Sequence, residues 1–237
     1  MGRKLAMVGY AASRDEAPWQ DPDFDIWIMN DMYELAPRYD AVFDIHDIAE
    51  IRSRLGRAGK GSHYEALKTL TKPVYMQEYY PEIPASIRFP LTELVQKYHI
   101  PAMGDKLFMT CTVAYMLALA IDEGKWDQIH LYGIDEAVDG EYKDEMPSVL
   151  YWLGLAAGRG IRIEVSAHSP LLKGWYLYGY EEPKKRQFTA FLDGEIKRVD
   201  GIREQAVRIQ QEYRDEQMKC AGAVAILEHI KKLTTKI

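Results

Sequence analysis

An aspartate and a histidine, Asp44 and His46, stand two positions apart directly after a short apolar run, 41–43. If that run is a strand, residues two apart share one face of the sheet, and the carboxylate can orient the imidazole as a base. The same side chains are also metal-ligand types. No third ligand follows at a recognisable spacing, which disfavours a metal site. The plainer alternative is an Asp–His pair that only satisfies the polar end of a strand.

Two further candidates for a catalytic base are Asp135 and His168, each of which follows another apolar run. A partly buried carboxylate or a near-neutral imidazole can take the proton of an attacking hydroxyl. We therefore predict that Asp135, His46 or His168 acts as the general base.

A second set of residues has the chemistry of a nucleotide site. Its members are Gly9, Ser13, Asn30, Thr110, Thr112 and Gly133. The turn 9–13 and the two threonines lie where helices are predicted to begin, and backbone N–H groups at a helix N-terminus attract phosphate. Asn30 ends a strand-like run where a doubly wound fold presents a polar side chain to a ribose or base, and Gly133 allows a ligand close to the backbone. The plainer alternative is that the glycines only form turns and the hydroxyl side chains only cap helices.

Six apolar runs, each followed by a polar cluster, must position these residues. They are 5–8, 26–29, 41–43, 74–76, 129–132 and 161–165. Buried parallel strands read as near-continuous apolar runs, and ligands bind outside their carboxyl ends. Because such runs alternate with helical segments through about residue 175, the sequence predicts an α/β domain over residues 1–180, with a mostly parallel sheet flanked by helices.

The sequence pattern changes over residues 181–237, where apolar residues from Leu192 to Ile230 recur at helical spacing among many charged residues. This pattern predicts a long helix or a helical hairpin. It either covers the sheet domain or pairs with another subunit as a coiled coil in a homo-oligomer.

Composition narrows the function classes. The 237 residues carry a formal net charge of −6, which argues against a large nonspecific nucleic-acid footprint. No apolar stretch approaches the ~20 residues of a membrane span, and the sequence has no signal-peptide pattern. Two cysteines indicate neither a disulfide framework nor a thiolate metal site. We expect a cytoplasmic protein with a small-molecule partner. The dinucleotide motif GxGxxG and the P-loop motif are both absent.

A family resemblance is carried by short motifs in a fixed order over roughly residues 4–178. They are GYAASR, WIMNDMY, FDIH, a T-x-T helix followed by HLYGID, and IRIEVSAHSPLL. This order resembles the Rossmann-like superfamily of bacterial sialyltransferases, motility accessory factors and archaeal-type 6-hydroxymethylpterin diphosphokinases, and it looks closer still to phage-encoded members. The resemblance implies a Rossmann-like fold and places the six nucleotide-site residues named above around a nucleotide.

The implied activity is that of a nucleotide-dependent transferase, foremost a glycosyltransferase that uses a nucleotide-activated sugar. Two departures keep alternatives open. The first turn lacks the second glycine and the proline of the sialyltransferase pattern G-x-G-P-S. That pattern also has a histidine between the GID-like block and the last strand, whereas residues 136–160 of this chain contain none. The alternatives are a non-catalytic protein that sequesters a nucleotide and a pterin diphosphokinase-like transferase.

Overall fold

The computed structural model describes residues 2–56, 61–101, 107–134, 142–166, 169, 171–172, 180 and 185–234. Contacts divide the chain into two units, Met1–Lys173 and Gly174–Ile237. The division after residue 180, predicted above for the folding domains, stays a prediction.

The first unit is built on one seven-stranded sheet. Its strands are β1 (Lys4–Val8), β2 (Phe24–Met29), β3 (Ala41–Phe43), β4 (Val74–Met76), β5 (Ser86–Arg88), β6 (Gln128–Tyr132) and β7 (Arg162–Val165). The order is β5-β4-β3-β2-β1-β6-β7, and every neighbouring pair is parallel. The predicted α/β fold with a parallel sheet is confirmed.

One strand, β5, was missing from the prediction. It has three residues, lies at the edge of the sheet and stands between Pro84 and Pro90. Ile87 and Arg88 are exposed, so the segment has no continuous apolar run. A short edge strand of this kind leaves little hydrophobic pattern to read.

Helices cover both faces of the sheet. They are α1 (Ile48–Ser53), α2 (His63–Leu67), α3 (Leu91–Tyr98), α4 (Thr112–Glu123) and α5 (Tyr142–Gly158), with 3₁₀ helices at Ala12–Glu16 and Asn30–Glu34. Leu5 and Met7 of β1 belong to the core formed with α3, α4 and α5. The alternate residues Ala6 and Val8 belong to a second core, with α1, α2 and the 3₁₀ helix Asn30–Glu34. The alternation of side chains along a strand therefore produces a three-layer unit.

The strand order reverses between β1 and β6, and two glycines meet there. The Gly9 N–H donates to the Tyr132 carbonyl at 2.8 Å, and the Ala11 N–H donates to the Gly133 carbonyl at 2.9 Å. A Cβ on Gly9 would lie 2.5 Å from the Gly133 oxygen, and a Cβ on Gly133 would overlap the Gly9 oxygen. Gly133 also has a φ of 62°. Glycine is required at both positions because the two backbones touch.

The second unit contains α6 (Lys185–Thr234), one continuous helix of 50 residues. Of the two predicted forms, the long helix is therefore observed, and the hairpin is wrong. Across the described part of the chain, no helix combines the length and the apolar character needed to cross a membrane.

The close approach of the two glycines leads to a stability prediction. We expect Gly133→Ala to lower the free energy of unfolding by roughly 2–5 kcal/mol, because alanine adds both left-handed strain and an overlap with Gly9. Gly160→Ala is the matched control: Gly160 has a φ of 85° but open space around its Cβ position among the described residues, so only about 1–2 kcal/mol of strain applies. Urea denaturation measures both. Equal losses would contradict the role of the overlap.

Candidate functional site

The carboxyl ends of four adjacent strands bring several predicted site residues into one row. Met29 of β2 pairs with Phe43 of β3. Val8 of β1 pairs with Ile28 of β2 and with Tyr132 of β6. The residues that follow these strand ends are Asp44, Asn30, Gly9 and Gly133. Neighbouring strands lie about 4.8 Å apart, so one edge of the sheet carries candidates from both predicted sets.

Asp44 lies at the centre of a hydrogen-bonded chain of four side chains, called here the histidine relay. Its carboxylate is fully buried, with Oδ1 2.6 Å from His46 Nδ1 and Oδ2 2.6 Å from His63 Nε2. His63 Nδ1 lies 2.7 Å from the Tyr33 hydroxyl, and the two rings are stacked. An ionised carboxylate only accepts hydrogen bonds. Both imidazoles therefore donate to Asp44, and the other ring nitrogen of His63 is hydrogen-bonded to the Tyr33 hydroxyl.

The loop that carries Asp44 and His46 is fixed at both ends. Gln77, which follows β4, donates from Nε2 to the Ile45 carbonyl at 2.9 Å. Asp47 caps α1 by accepting from the Ala49 N–H at 2.7 Å. The backbone of His46 lies between these two anchors, and the hydrogen bond to Asp44 orients its ring.

Electrostatics at the relay favour an ionised Asp44 and a basic His46. Burial alone would raise the pKa of Asp44, but the hydrogen bonds from His46 and His63 outweigh it and lower that pKa to about 2. The hydrogen bond to Asp44 raises the pKa of His46 from its ordinary 6.5, while burial and the positive charge of Arg54 oppose the rise. Burial raises the pKa of Tyr33, which keeps its hydroxyl protonated as a donor.

His46 is the imidazole of the relay that reaches solvent. Its side chain is 31% exposed, whereas Asp44 and His63 have no exposed side-chain surface. Nδ1 is engaged by Asp44, and Nε2 lies 3.8 Å from the Glu50 carboxylate. The arrangement therefore leaves Nε2 as the nitrogen that can exchange a proton with a ligand.

Sequence reasoning found Asp44 and His46 but missed His63 and Tyr33. His63 and Leu67 are four apart in α2, and both are fully buried. A histidine on the apolar face of a predicted helix was the available signal. No sequence signal indicated Tyr33, because 30 residues of sequence separate it from His63.

Asn30 has two unusual features. Its backbone is left-handed, with a φ of 50°, and its buried Oδ1 has no hydrogen-bond partner among the described residues. The neighbouring Tyr10 hydroxyl donates elsewhere, to the Met29 carbonyl at 3.2 Å and to the Asp31 carboxylate. An unpaired buried acceptor costs about 1–3 kcal/mol, and backbone strain of this kind clusters at functional sites. Asn30 thus offers an acceptor to a ligand.

The fold brings Gly9, Ser13 and Gly133 together. Their contacts in the structure are with one another: the two glycines touch, and Ser13 hydrogen-bonds to Gly133. Ser13 is buried, and its hydroxyl oxygen accepts from the Gly133 N–H at 2.7 Å. The turn continues into the five-residue 3₁₀ helix Ala12–Glu16. These contacts join the turns after β1 and β6, and phosphate binding by the three residues stays a prediction.

The two threonines differ in their surroundings. Thr110 Oγ1 lies 2.8 Å from the hydroxyl of Ser148 on α5, so it links the start of α4 to α5. Thr112 is the first residue of α4, and the side chain of the N-cap Cys111 makes no capping hydrogen bond. In the first turn of α4, the Ala114 N–H donates to the Cys111 carbonyl at 3.0 Å. A ligand role for Thr110 and Thr112 stays a prediction.

Two predicted catalytic residues, Asp135 and His168, lie outside the described residues. Within the described ranges, no group of three or more His, Cys, Asp or Glu side chains could hold a metal ion.

Comparisons with known proteins give one remote likeness. No protein-family model matches the sequence, and no curated protein matches it. Among solved structures, the chain is similar to a mutant of the α-2,3/8-sialyltransferase CstII, with 17% identity and a TM-score of 0.46. The match covers 68% of this chain and 80% of that chain. A likeness at this level leaves the function to be inferred from the residues of this chain.

The relay predicts how the pKa of His46 depends on Asp44. We expect Asp44→Asn to lower the pKa of His46, because the amide no longer favours the imidazolium, and to destabilise the fold by about 3 kcal/mol through loss of a buried ionic partner. NMR titration of the His46 ring measures the pKa, and urea denaturation measures the stability.

Glu50→Gln is the control for that titration. It removes the other carboxylate near the His46 ring, which makes the smallest contribution to the raised pKa. We expect a smaller decrease in the pKa than with Asp44→Asn and no loss of stability. If the two variants lower the pKa equally, Asp44 does not set the basicity of His46.

Proposed function

We propose that the chain is a nucleotide-dependent transferase of the glycosyltransferase type, in which His46 is the general base. The observation that carries this proposal is the partly exposed imidazole of His46, whose Nδ1 is hydrogen-bonded to the buried, ionised Asp44 at the carboxyl edge of the sheet. An imidazole whose Nδ1 donates to a carboxylate keeps Nε2 for accepting the proton of a hydroxyl.

In the proposed reaction, the acceptor hydroxyl donates a hydrogen bond to His46 Nε2. Its oxygen attacks the anomeric carbon of the nucleotide-sugar while its proton passes to Nε2. The bond between that carbon and the phosphate oxygen breaks, and its electron pair leaves with the nucleotide. Asp44 stabilises the imidazolium that forms, and His63 and Tyr33 keep Asp44 in place. General base catalysis of this kind contributes about 10²–10⁴ in rate.

The nucleotide would bind beside the relay. Asn30 follows Met29, which pairs with Phe43, the residue before Asp44. The unpaired Oδ1 of Asn30 therefore lies one strand away from the relay. That acceptor suits a ribose hydroxyl or a base amino group. The first-turn N–H groups of α4 suit the phosphate. Donor sugar and acceptor would then meet near His46.

A second function, a nucleotide binder without catalysis, is favoured by one contact. Glu50 Oε1 lies 3.8 Å from His46 Nε2, where it can hold a protonated imidazole in an ion pair. An imidazole held in that state cannot act as a base. Such a protein would bind a nucleotide and show no turnover.

The first test is a thermal-shift panel of nucleotides and nucleotide-sugars. A ligand at a hundred times its dissociation constant adds about 2.7 kcal/mol of stability, so the panel identifies the base and sugar without assuming a reaction. Turnover is then assayed with the stabilising nucleotide-sugar and a set of hydroxyl acceptors. Tight nucleotide binding by the wild-type protein without any turnover would favour the second function.

His46→Gln tests the base. We expect transfer to fall by about 10²–10⁴ while the dissociation constant of the nucleotide stays within a few-fold. His130→Gln is the matched control, because His130 is also half-buried but lies within β6 rather than at its end. A similar fall in both variants, or an unchanged rate in His46→Gln, would contradict the assignment.

Asn30→Gly tests the nucleotide contact. Glycine accepts the left-handed backbone without strain, so this variant removes the unpaired acceptor and should leave the free energy of unfolding unchanged or higher. If Oδ1 binds the nucleotide, the dissociation constant should rise about five-fold, the effect of about 1 kcal/mol for one hydrogen bond. Calorimetric titration and urea denaturation give the two values. Unchanged affinity would place the nucleotide elsewhere.

A further inference from the structure

The helix α6 presents apolar side chains to solvent along most of its length. Ile202 is 55% exposed, Tyr213 71% and Leu227 65%. A helix of 50 residues is about 75 Å long. Helices in proteins owe most of their stability to packing of an apolar face, so this surface calls for a partner of comparable length.

Between residues 192 and 227, apolar residues fill every first core position of a seven-residue repeat and three of its five second core positions. The first core position, a, is occupied by Leu192, Val199, Ala206, Tyr213, Cys220 and Leu227, each seven residues after the last. The second core position, d, is occupied by Glu195, Ile202, Ile209, Glu216 and Ala223. A repeat of seven is the pattern of a left-handed coiled coil, in which positions a and d form the seam.

The glycines of α6 avoid that seam. Gly194, Gly201 and Gly222 all fall at position c of the repeat, on the outer face. No heavy atom of the described chain lies within 4 Å of the Cβ position of any of them, the helix's own nearby backbone aside. Each costs the helix about 1 kcal/mol relative to alanine, and packing along the seam would compensate for that cost.

We infer that α6 pairs with α6 of a second copy of this chain as an antiparallel two-stranded coiled coil. The size of the surface suits a stable dimer. Positions a, d, e and g make up four of every seven residues, or roughly 28 of the 50 in α6, and a standard protein interface uses about 20–30 residues a side.

Charge at the core positions favours one orientation. A parallel, in-register pair would set Glu195 against the partner's Glu195 and Glu216 against the partner's Glu216 inside the seam. It would also bring Arg198 beside the partner's Arg203 at the flanking positions g and e. Like charges at such positions oppose pairing. An antiparallel pair separates all three sets of like charges, because each a position then packs against a d position of the partner. It brings one like-charged pair together, Glu212 and the partner's Glu212, at the exposed flanking g positions.

The repeat and the helix length also define the register. The antiparallel alignment with the largest overlap that the repeat allows has its midpoint at Gln211. Tyr213 then packs against the partner's Ile209, and Cys220 packs against the partner's Ile202. At the flanking e positions, Ile196 meets the partner's Val224, which buries two more of the exposed apolar residues.

The first experiment measures the oligomeric state of the full chain by sedimentation equilibrium. We expect twice the monomer mass of 27.3 kDa. Ile202→Glu should raise the dimer dissociation constant at least ten-fold, because the charge enters the seam. Val207→Glu is the matched control, since Val207 is exposed to a similar extent, 58%, but lies at the outer position b. A monomeric wild type, or equal weakening by the two variants, overturns the inference.

The second experiment tests the orientation by disulfide trapping with oxidised glutathione. Ile202→Cys in the chain that keeps Cys220 should yield a covalent dimer on a non-reducing gel, because residues 202 and 220 face each other across an antiparallel seam. Ile202→Cys combined with Cys220→Ser should yield none. Trapping by the double variant, or by wild-type Cys220 alone, would show a parallel pair and overturn the antiparallel assignment.

Discussion

The buried charge of Asp44 is the constraint on which the site depends. An ionised carboxylate without exposed surface is tolerated only when its oxygens are paired. His46, in the adjoining loop, and His63, in α2, each donate a hydrogen bond to one of these oxygens. Because Tyr33 completes the hydrogen bonds of His63, a single carboxylate ties together the segments after β2 and β3 and the first turn of α2.

Neighbouring strand ends at the same edge differ in whether their polar groups have hydrogen-bond partners within the described chain. The turns after β1 and β6 leave little room between them, because Gly9 and Gly133 touch and Ser13 binds the Gly133 N–H. The end of β2 is the opposite case, since Asn30 combines a left-handed backbone with an unpaired buried acceptor. A folded chain keeps such a cost only where something else compensates for it. A ligand donor at Asn30 is the simplest compensation, and it is the reason for proposing a nucleotide contact there.

Sequence periodicity predicted the sheet well because buried parallel strands are apolar throughout. It missed β5, where exposed Ile87 and Arg88 break that pattern. At the site, the spacing of Asp44 and His46 was readable because both lie on one short segment. The partner His63 was not, since 19 residues separate it from Asp44 and only the fold brings them together. Nor does the sequence distinguish a glycine that admits a ligand from one that admits another backbone, the relation observed for Gly9 and Gly133.

The hydrogen bond that makes His46 a stronger base also sets a conflict between stability and activity. Because the pKa of His46 is raised in the folded state, its contribution to stability is fully present below about pH 6.5 and is lost as the pH rises through the raised value. Base catalysis needs the neutral ring, so activity would increase over the same range. Asp44 does not add to this change: its pKa of about 2 confines its loss of stability to acid, below about pH 4. Near neutral pH, the fold therefore favours the protonated relay, while the proposed chemistry requires the relay without that proton.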